Sequence, residues 1–420
     1  MPRSLWAVVA VLLATPCLVL GDQCEAGCSC DTEPLISVSC RHASLDTVPN
    51  SLDPLIQRLD LTHNNLKQVG SASFQFHPDL VTVDLAHNHI SLVQERTFEE
   101  QRLVTSLDLS HNSLQQVGPL TFAGLESLQL LDLGHNSISQ LRNFSFSQLV
   151  SLRELRLGHN QLTRLELHTL SGARQLRILQ LRHNQLASVE AAALSLAPGL
   201  RSLDLSSNLI TALPPASFSA LSSLQQLDLS SNPLASVSPR PLLGLPHLQK
   251  LGLQDLGLTA ASASRVLEAV TSVTELRLDS NLVSAVSAQL LAGLRNLTLL
   301  SLANNSVLAT IHPGALQHSP LLVSLDLASN PALTSLPPAL LTSLHRLATL
   351  NLTSCSLSSL QLPASVLHWT SLGLQHNPWT CDCGLASLAR VQTPANLTHR
   401  LVECLYSIYP SQDKSGYLNF

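Results

Sequence analysis

Leu59-Asp-Leu-Thr-His-Asn-Asn-Leu66 and Val83-Asp-Leu-Ala-His-Asn-His-Ile90 are two copies of one sequence pattern, 24 residues apart. In each copy apolar and polar residues alternate and an asparagine follows, which gives the form L-x-L-x-x-N-x-L. The alternation predicts a short strand with one buried face. Because one copy is too small to bury its own leucines, neighbouring copies must stack. The pattern therefore predicts an α/β solenoid whose strands form one parallel sheet.

The asparagine column shows how far the solenoid extends. We count fourteen turns between residues 56 and 378, with steps of 22 to 25 residues. An inward asparagine has donors and an acceptor for the backbone of adjacent turns, which would otherwise lack partners where the chain leaves each strand. The column consists of Asn64, Asn88, Asn112, Asn136, Asn160, Asn184, Asn208, Asn232, Leu256, Asn281, Asn305, Asn330, Cys355 and Asn377.

A second column is aromatic and shares the same period. It could form a ligand-binding stripe or a structural spine on the outer side of the core. Because it keeps register with the leucines, we predict the spine. Its members are Phe74, Phe98, Phe122, Phe146 and Phe218, with Leu170 and Leu194 in the intervening places.

Four cysteines precede the first repeat with the spacing C-x3-C-x-C-x9-C, at Cys24, Cys28, Cys30 and Cys40. The end of a solenoid exposes apolar side chains and an unpaired strand edge, so it needs a cover. A disulfide-bonded cap over residues 22–55 would supply that cover in an oxidising compartment. A zinc site is the less favoured alternative.

The repeats and the cysteine cluster together resemble the extracellular leucine-rich-repeat superfamily, in its 24-residue class found in Slit, Toll and small matrix proteoglycans. The resemblance covers nearly all of the mature chain. It implies a leucine-rich-repeat horseshoe with a concave parallel sheet. It also implies the disulfides Cys24–Cys30 and Cys28–Cys40 in the N-terminal cap.

Residues 379–420 resemble only part of the family's C-terminal cap. The stretch from Asn377 contains Cys381 and Cys383, and Cys404 stands where a third cap cysteine falls. The resemblance implies a Cys381–Cys404 disulfide and leaves Cys383 without its usual partner. Two interpretations stay open, an incomplete or divergent cap and an intermolecular disulfide through Cys383 to a partner.

The chain's first segment indicates a secreted protein. Residues 1–21 have a short basic start, an apolar run broken by Pro16 and small residues before Asp22, which predicts a signal peptide. No second apolar segment is long enough to span a membrane.

The net charge of −5 and the three lysines argue against nucleic acid and against strong attachment to heparin-like polymers. Five sequons predict glycosylation, at Asn143, Asn296, Asn304, Asn351 and Asn396.

Two polar columns are predicted to face outward from the first repeats. One contains aspartates and the other histidines, one of each per turn. Their ordinary interpretation is local hydrogen bonding at the strand-to-loop turn. Their functional interpretation is a partner-binding surface that responds to pH through imidazoles with pKa values near neutrality. Glycans at Asn304 and Asn351 would obstruct the later repeats, which leaves the first repeats as the predicted binding region. The candidate residues are Asp60, His63, Asp84, His87, Asp108, His111, Asp132 and His135.

The sequence lacks the short motifs of known catalytic sites. Its histidines and aspartates recur with the solenoid period, whereas catalytic residues are single and convergent. We therefore expect no enzyme activity, cofactor or metal. The resemblance implies an extracellular protein partner and a role in cell adhesion, the matrix or growth-factor and receptor signalling, through the concave face. A soluble innate-immune recognition or decoy receptor and an inhibitor of a secreted enzyme are the alternatives.

Overall fold

A computed structural model of the chain describes residues 27–31, 35–362 and 369–380. Its main element is one sheet of sixteen short strands. In order across the sheet, the strands are Ser29–Asp31, Ser37–Ser39, Arg58–Asp60, Thr82–Asp84, Ser106–Asp108, Leu130–Asp132, Glu154–Arg156, Ile178–Gln180, Ser202–Asp204, Gln226–Asp228, Lys250–Gly252, Glu275–Arg277, Leu299–Ser301, Ser324–Asp326, Thr349–Asn351 and Ser371–Gly373.

The sheet is parallel apart from its first pair, where Ser29–Asp31 runs antiparallel to Ser37–Ser39. Each strand pairs with its equivalent in the next turn, so that Leu59 lies opposite Val83 and Asp60 opposite Asp84. In every strand but the first the central residue is buried, and the residue after it is partly or fully exposed. The strand order follows the chain order, and the predicted solenoid is confirmed.

The opposite side of the solenoid carries shorter elements. Two-residue parallel strands pair there between neighbouring turns, and within the described residues three helices replace them in other turns. The paired strands are Gln68–Val69 with Leu92–Val93, Gln116–Val117 with Gln140–Leu141, Ala212–Leu213 with Ser236–Val237, and Ala285–Val286 with Thr310–Ile311. The helices are Ala191–Leu194, Ala260–Leu267 and Pro338–Thr342.

One continuous core runs between the two sides and consists mostly of leucine. The five phenylalanines of the aromatic column are 0–1% exposed, so they form the predicted spine inside the core. Such burial stabilises the solenoid by about 2 kcal/mol or more for each large apolar side chain. None of the described helices is long and apolar enough to cross a membrane.

The turns lie closer together on the sheet side than on the spine side. Ring centroids of successive histidines from His63 to His183 are 4.0–4.3 Å apart. On the opposite side the centroids of Phe74 and Phe98 are 5.4 Å apart, and those of Phe122 and Phe146 are 6.2 Å apart. This difference in spacing bends the stack, and the sheet becomes its concave face.

The buried asparagines join neighbouring turns. The Nδ2 of Asn88 donates to the carbonyl oxygens of Leu61 at 2.9 Å and Leu85 at 3.0 Å. Its Oδ1 accepts from the amide of Leu66 at 3.1 Å. Both ends of the amide are therefore used on backbone groups that would otherwise be buried without partners. The prediction that these asparagines bond adjacent turns is confirmed.

The two exceptions in the asparagine column are bridged differently. Beside Leu256, the Oδ1 of Asn281 accepts from the amides of both Leu256 and Leu258, at 3.1 and 2.9 Å. Cys355 is a buried free cysteine whose Sγ donates to the carbonyl oxygen of Leu327 at 3.1 Å. A thiol replaces the donor half of an asparagine and supplies only a weak acceptor.

The first repeat is preceded by a disulfide between Cys28 and Cys40, one of the two implied by the family resemblance. Cys40 is fully buried and belongs to the core. Cys24, Cys381, Cys383, Cys404 and the predicted signal peptide of residues 1–21 lie outside the described residues, as does the sequon at Asn396. The predictions for those positions stay predictions.

Candidate functional site

The histidine column follows the strands along one edge of the concave face. Each of its members has a left-handed backbone, with φ between +53° and +59° from His42 to His183. Histidine, asparagine and aspartate tolerate this conformation better than most residues. In later turns Ser207, Ser231, Asp255 and Asn304 occupy the equivalent place with similar φ values. The backbone therefore explains why small or polar residues occur here, but not why six consecutive repeats use histidine.

The imidazole rings of this column are stacked into one continuous row. Neighbouring planes from His63 to His183 make angles of 6–20°, and His42 extends the row into the cap with a centroid distance of 4.6 Å to His63. Parallel rings direct their nitrogens side by side and not toward a common point. In keeping with this, the described residues contain no group of three or more His, Cys, Asp or Glu that could hold a metal ion.

The pKa values of three rings of the row are lowered. Burial lowers the pKa of His111, and the charges that His135 and His87 acquire on protonation lower it further. Burial and neighbouring imidazoles also lower the pKa values of His63 and His159. These three imidazoles are therefore uncharged near pH 7 and resist protonation when the pH falls.

The aspartate column lies beside the histidine row, on the strands themselves. Asp60, Asp84, Asp108 and Asp132 lie opposite one another on successive strands. In each of them Oδ1 accepts from the backbone amide two residues later, at 2.8–3.0 Å. Asp204, Asp228 and Asp326 make the same bond. The local hydrogen bonding expected from the ordinary interpretation is thus present, and it uses only one carboxylate oxygen.

The second oxygens of the four aspartates differ in their surroundings. Oδ2 of Asp60 accepts from the Ser39 hydroxyl at 3.0 Å, and Oδ2 of Asp132 pairs with Arg156 at 3.2 Å. Asp84 and Asp108 lie between Asp60 and Asp132 in the row. Neither makes a second hydrogen bond within the described residues. The middle of the row therefore presents carboxylate oxygens that no described cation or hydroxyl engages.

The carboxyl group of Asp84 has a raised pKa. Burial raises its pKa to about 6, and the negative charges of Asp108 and Asp60 on either side contribute to the rise. At Asp60 burial acts in the same direction, but hydrogen bonds from Thr62 and Ser39 and the charge of Arg41 lower the pKa overall. Above pH 6, Asp84 therefore holds a negative charge that its neighbours disfavour.

Small residues separate the two polar rows. Thr62, Ala86, Ser110 and Gly134 lie between the aspartate and the histidine of their turns, and the first three are 6–8% exposed. The rows and these small residues form a shallow trough along the concave face, which we call the aspartate–histidine trough. Its defining residues are the eight candidate residues Asp60 to His135 together with these four.

The trough leads into a hollow over two glycines at the fourth and fifth repeats. The hollow has a volume of about 320 Å³ and is lined by Gly134, Gly158, Arg156 and the imidazoles of His111, His135 and His159, among others. Arg156 pairs with both Asp132 and Glu154 and closes the aspartate row at this end. The hollow is open to solvent, unlike an enclosed catalytic pocket.

Sequence reasoning brought together the aspartate and histidine columns and missed two parts of the site. His42 precedes His63 by 21 residues and so falls outside the 24-residue period. The hollow was also missed. A usable signal was that Gly134 and Gly158 follow each other in a column whose other members carry side chains.

Four of the five sequons lie within the described residues. Asn296 and Asn304 are exposed. The Nδ2 of Asn351 donates to Asp326 at 3.3 Å, and Oδ1 of Asn143 accepts from the amide of His168 at 3.0 Å. Asn304 occupies the place that histidine has in the first repeats, at the edge of the concave face.

Comparison with known proteins agrees with this architecture. The leucine rich repeat family model matches residues 54–114, 102–162, 138–186, 151–210, 198–255 and 271–332, which together cover more than half of the chain. The chain belongs to the leucine-rich-repeat family. Proteins of this family are typically non-catalytic scaffolds whose repeats bind other proteins.

Two related proteins share a short segment with this leucine-rich-repeat chain. Chondroadherin-like protein of Mus musculus is 40% identical over 82 residues, which is 18% of this chain and 11% of that protein. Chondroadherin-like protein of Homo sapiens is 38% identical over 79 residues, 19% of this chain and 10% of that protein. The matched segments thus span about a tenth of these relatives.

Proposed function

We propose that this chain is a secreted, non-enzymatic protein that binds an extracellular protein partner in the aspartate–histidine trough. The observation that carries the proposal is the run of aspartates at Asp60, Asp84, Asp108 and Asp132, in register on adjacent strands. The local turn explains one oxygen of each carboxylate. It does not explain why four such charges occupy consecutive turns.

The charge of this row indicates the chemistry of the partner. Strands in a sheet lie about 4.8 Å apart, so successive carboxylates repel one another. Burial raises the pKa of Asp84 to about 6, and this repulsion contributes to the rise. A lysine or arginine placed over Asp84 and Asp108 would replace repulsion with attraction. The proposed partner therefore presents a basic segment to the trough.

The histidine row makes this binding sensitive to pH. Near pH 7 the rings of His63, His111 and His159 are uncharged, because their pKa values are lowered. Asp84 takes up a proton as the pH falls through about 6, and any imidazole of the row that becomes protonated adds positive charge beside the aspartates. Both changes oppose a basic partner, and the affinity is expected to fall with the pH.

The later repeats are less suited to such a partner. The exposed sequon at Asn304 lies at the edge of the concave face. A glycan there, or at Asn351, would cover part of the C-terminal half. This supports the first repeats as the binding region and is consistent with secretion.

The similarity to a segment of chondroadherin-like protein and the Cys28–Cys40 disulfide support an extracellular setting. Within that setting we propose a role in the matrix, in cell adhesion or in the modulation of growth-factor and receptor signalling. The predicted signal peptide and an intermolecular disulfide through Cys383 remain part of this proposal.

Two matched variants test the binding region. Asp84→Asn/Asp108→Asn and Asp204→Asn/Asp228→Asn each remove two charges from the concave face, and asparagine keeps the local turn, as Asn351 does with Thr353. The immobilised chain is used to capture proteins from extracellular fluid at pH 7.5. We expect a basic protein to be retained by the wild type and by the second variant and to be lost from the first. Equal capture by both variants would contradict the proposal.

A further inference from the structure

A second charged feature lies outside the trough, at the edge where the chain enters the strands. Arg153, Arg177 and Arg201 occupy equivalent positions in three consecutive turns. The amide of Arg177 donates to the carbonyl oxygen of Arg153, and the amide of Arg201 to that of Arg177, both at 2.8 Å. The three residues therefore lie side by side, and we call them the arginine row.

Nothing in the described structure neutralises this row. All three arginines are exposed, and none forms an ion pair with another described residue. Like charges on neighbouring turns destabilise the fold slightly. The same column is uncharged in the turns on either side, with Gln57, Val81, Thr105 and Gln129 before the row and Gln225 and Gln249 after it. The repeat itself therefore does not require arginine at these positions.

The arginine row borders a hollow. Gly199 and Ser223 are small residues between the larger Gln175 and His247, and this leaves a depression of about 530 Å³. Arg177 and Arg201 line one side, and Arg174 adds a third guanidinium. The lining contains no acidic residue and no apolar side chain.

We propose that this hollow and the arginine row bind a sulfated polysaccharide. Guanidinium groups form bidentate hydrogen bonds with oxyanions, and a row of them along the solenoid matches a chain with anionic groups at intervals. The amide side chains of Gln175 and Gln225 and the hydroxyl of Ser223 suit the hydroxyl groups of a sugar ring. Although the composition of the whole chain disfavours strong electrostatic attachment, these arginines concentrate positive charge in one place.

An acidic peptide fits the hollow less well. Its carboxylates could pair with the guanidinium groups, but the hollow also places two amide side chains, a hydroxyl and a glycine backbone among the arginines. These neutral polar groups suit the many hydroxyl groups of a sugar chain, so the hollow favours a hydroxylated, anionic ligand over an acidic peptide.

The test compares two double variants of the full chain that lose the same charge. Arg177→Gln/Arg201→Gln removes the centre of the site. Arg102→Gln/Arg346→Gln removes two exposed arginines from turns outside the row. Binding of a heparin-derived oligosaccharide, of its desulfated form and of an acidic peptide, poly-glutamate, is measured at about 0.15 M salt. Thermal midpoints of both variants show whether they fold as the wild type does.

We expect the first variant to bind the heparin oligosaccharide at least tenfold more weakly than the wild type, and the second within twofold. The desulfated form should bind at least tenfold more weakly than heparin to the wild type. An equal loss in both variants would reduce the effect to net charge and overturn the proposal. Binding of poly-glutamate that matches heparin and depends on Arg177 and Arg201 would overturn it in favour of an acidic protein.

Discussion

The Nδ2 of Asn64 donates to the carbonyl oxygen of Cys40 at 2.8 Å, and this bond ties the first repeat to the disulfide cap. The same amide donates to Leu61 and accepts from the backbone of Leu45. Asn64 is 4% exposed, so these backbone groups have no access to water if the amide is removed. The cap and the array are thus joined by the same chemistry that joins one repeat to the next.

Replacing this residue should therefore loosen the cap. Asn64→Ala leaves buried backbone groups without partners, and each such group costs about 1–3 kcal/mol. We expect a loss of at least about 2 kcal/mol, measured by urea unfolding with intact disulfides. The adjacent Asn65 is exposed and provides a matched control, because Asn65→Ala should change stability by less than about 0.5 kcal/mol. Similar losses in the two variants would contradict the assigned role.

A glycine where two turns come close should tolerate no side chain. Gly124 has φ +96°, and a Cβ there would collide with the backbone of Phe98 and Glu99. Gly124→Ala should cost about 3 kcal/mol or more from backbone strain and displacement of the neighbouring turn. At Gly118 the nearest atom to an added Cβ is the Thr121 hydroxyl at 3.7 Å, so Gly118→Ala should be close to neutral. Thermal unfolding of the two variants distinguishes the sites.

Asp84→Asn should stabilise the protein at neutral pH. The folded pKa of about 6 exceeds the ordinary value of 3.8, so the charged carboxylate opposes folding above pH 6. Because Asp84 is partly solvated, we expect a gain of only about 1 kcal/mol at pH 7.5. The gain should shrink as the pH falls from about 6 to 4, because the folded carboxyl takes up its proton in this range and the unfolded one does so only near 3.8. For comparison, Asp204→Asn removes a carboxylate that faces the neutral Gln180 on one side. A gain that persists unchanged at pH 4 would refute this explanation.

The histidine row should make the folded protein less stable as the pH falls, which is opposite to the effect of Asp84. The pKa of His111 is lowered in the folded state by burial and by His135 and His87, so the unfolded chain binds protons more readily. Stability contributed by this residue is therefore complete above the unfolded value of 6.5 and decreases as the pH falls below it. His111→Asn, which tolerates the left-handed backbone, should lose less stability between pH 7.5 and 5.5 than the wild type. His345→Asn removes an exposed imidazole that has no stacked neighbour among the described residues and serves as the control. Indistinguishable pH slopes for the wild type and His111→Asn would count against a coupled row.

The fold could be predicted because each turn repeats the same solution. The spacing of Leu59, Leu61 and Asn64 indicates which side chains point inward. A single short apolar segment could be a strand or part of a helix, and fourteen repetitions of the pattern decide for the strand. The aspartate and histidine columns were also predictable as neighbours, since equivalent positions of stacked turns must lie side by side. The period alone thus placed eight of the twelve residues that define the trough.

Other parts of the site depend on contacts that the period does not encode. His42 reaches the histidine row because the cap brings it beside His63, at a sequence separation unlike that of the repeats. The hollow beside Gly199 arises from missing side chains, and its size depends on the neighbouring turns. The raised pKa of Asp84 results from burial and two flanking charges together, and a sequence gives only the second of these.

The thiol of Cys355 has a structural consequence for the way the array opens. In a stacked array each turn contacts only its neighbours, so unfolding can start at an end and stop at a well-bonded joint. The joint at Cys355 keeps the donor half of the usual amide link and lacks its strong acceptor. The turns beyond Cys355 can therefore separate at this joint, while the first repeats stay stacked around the trough.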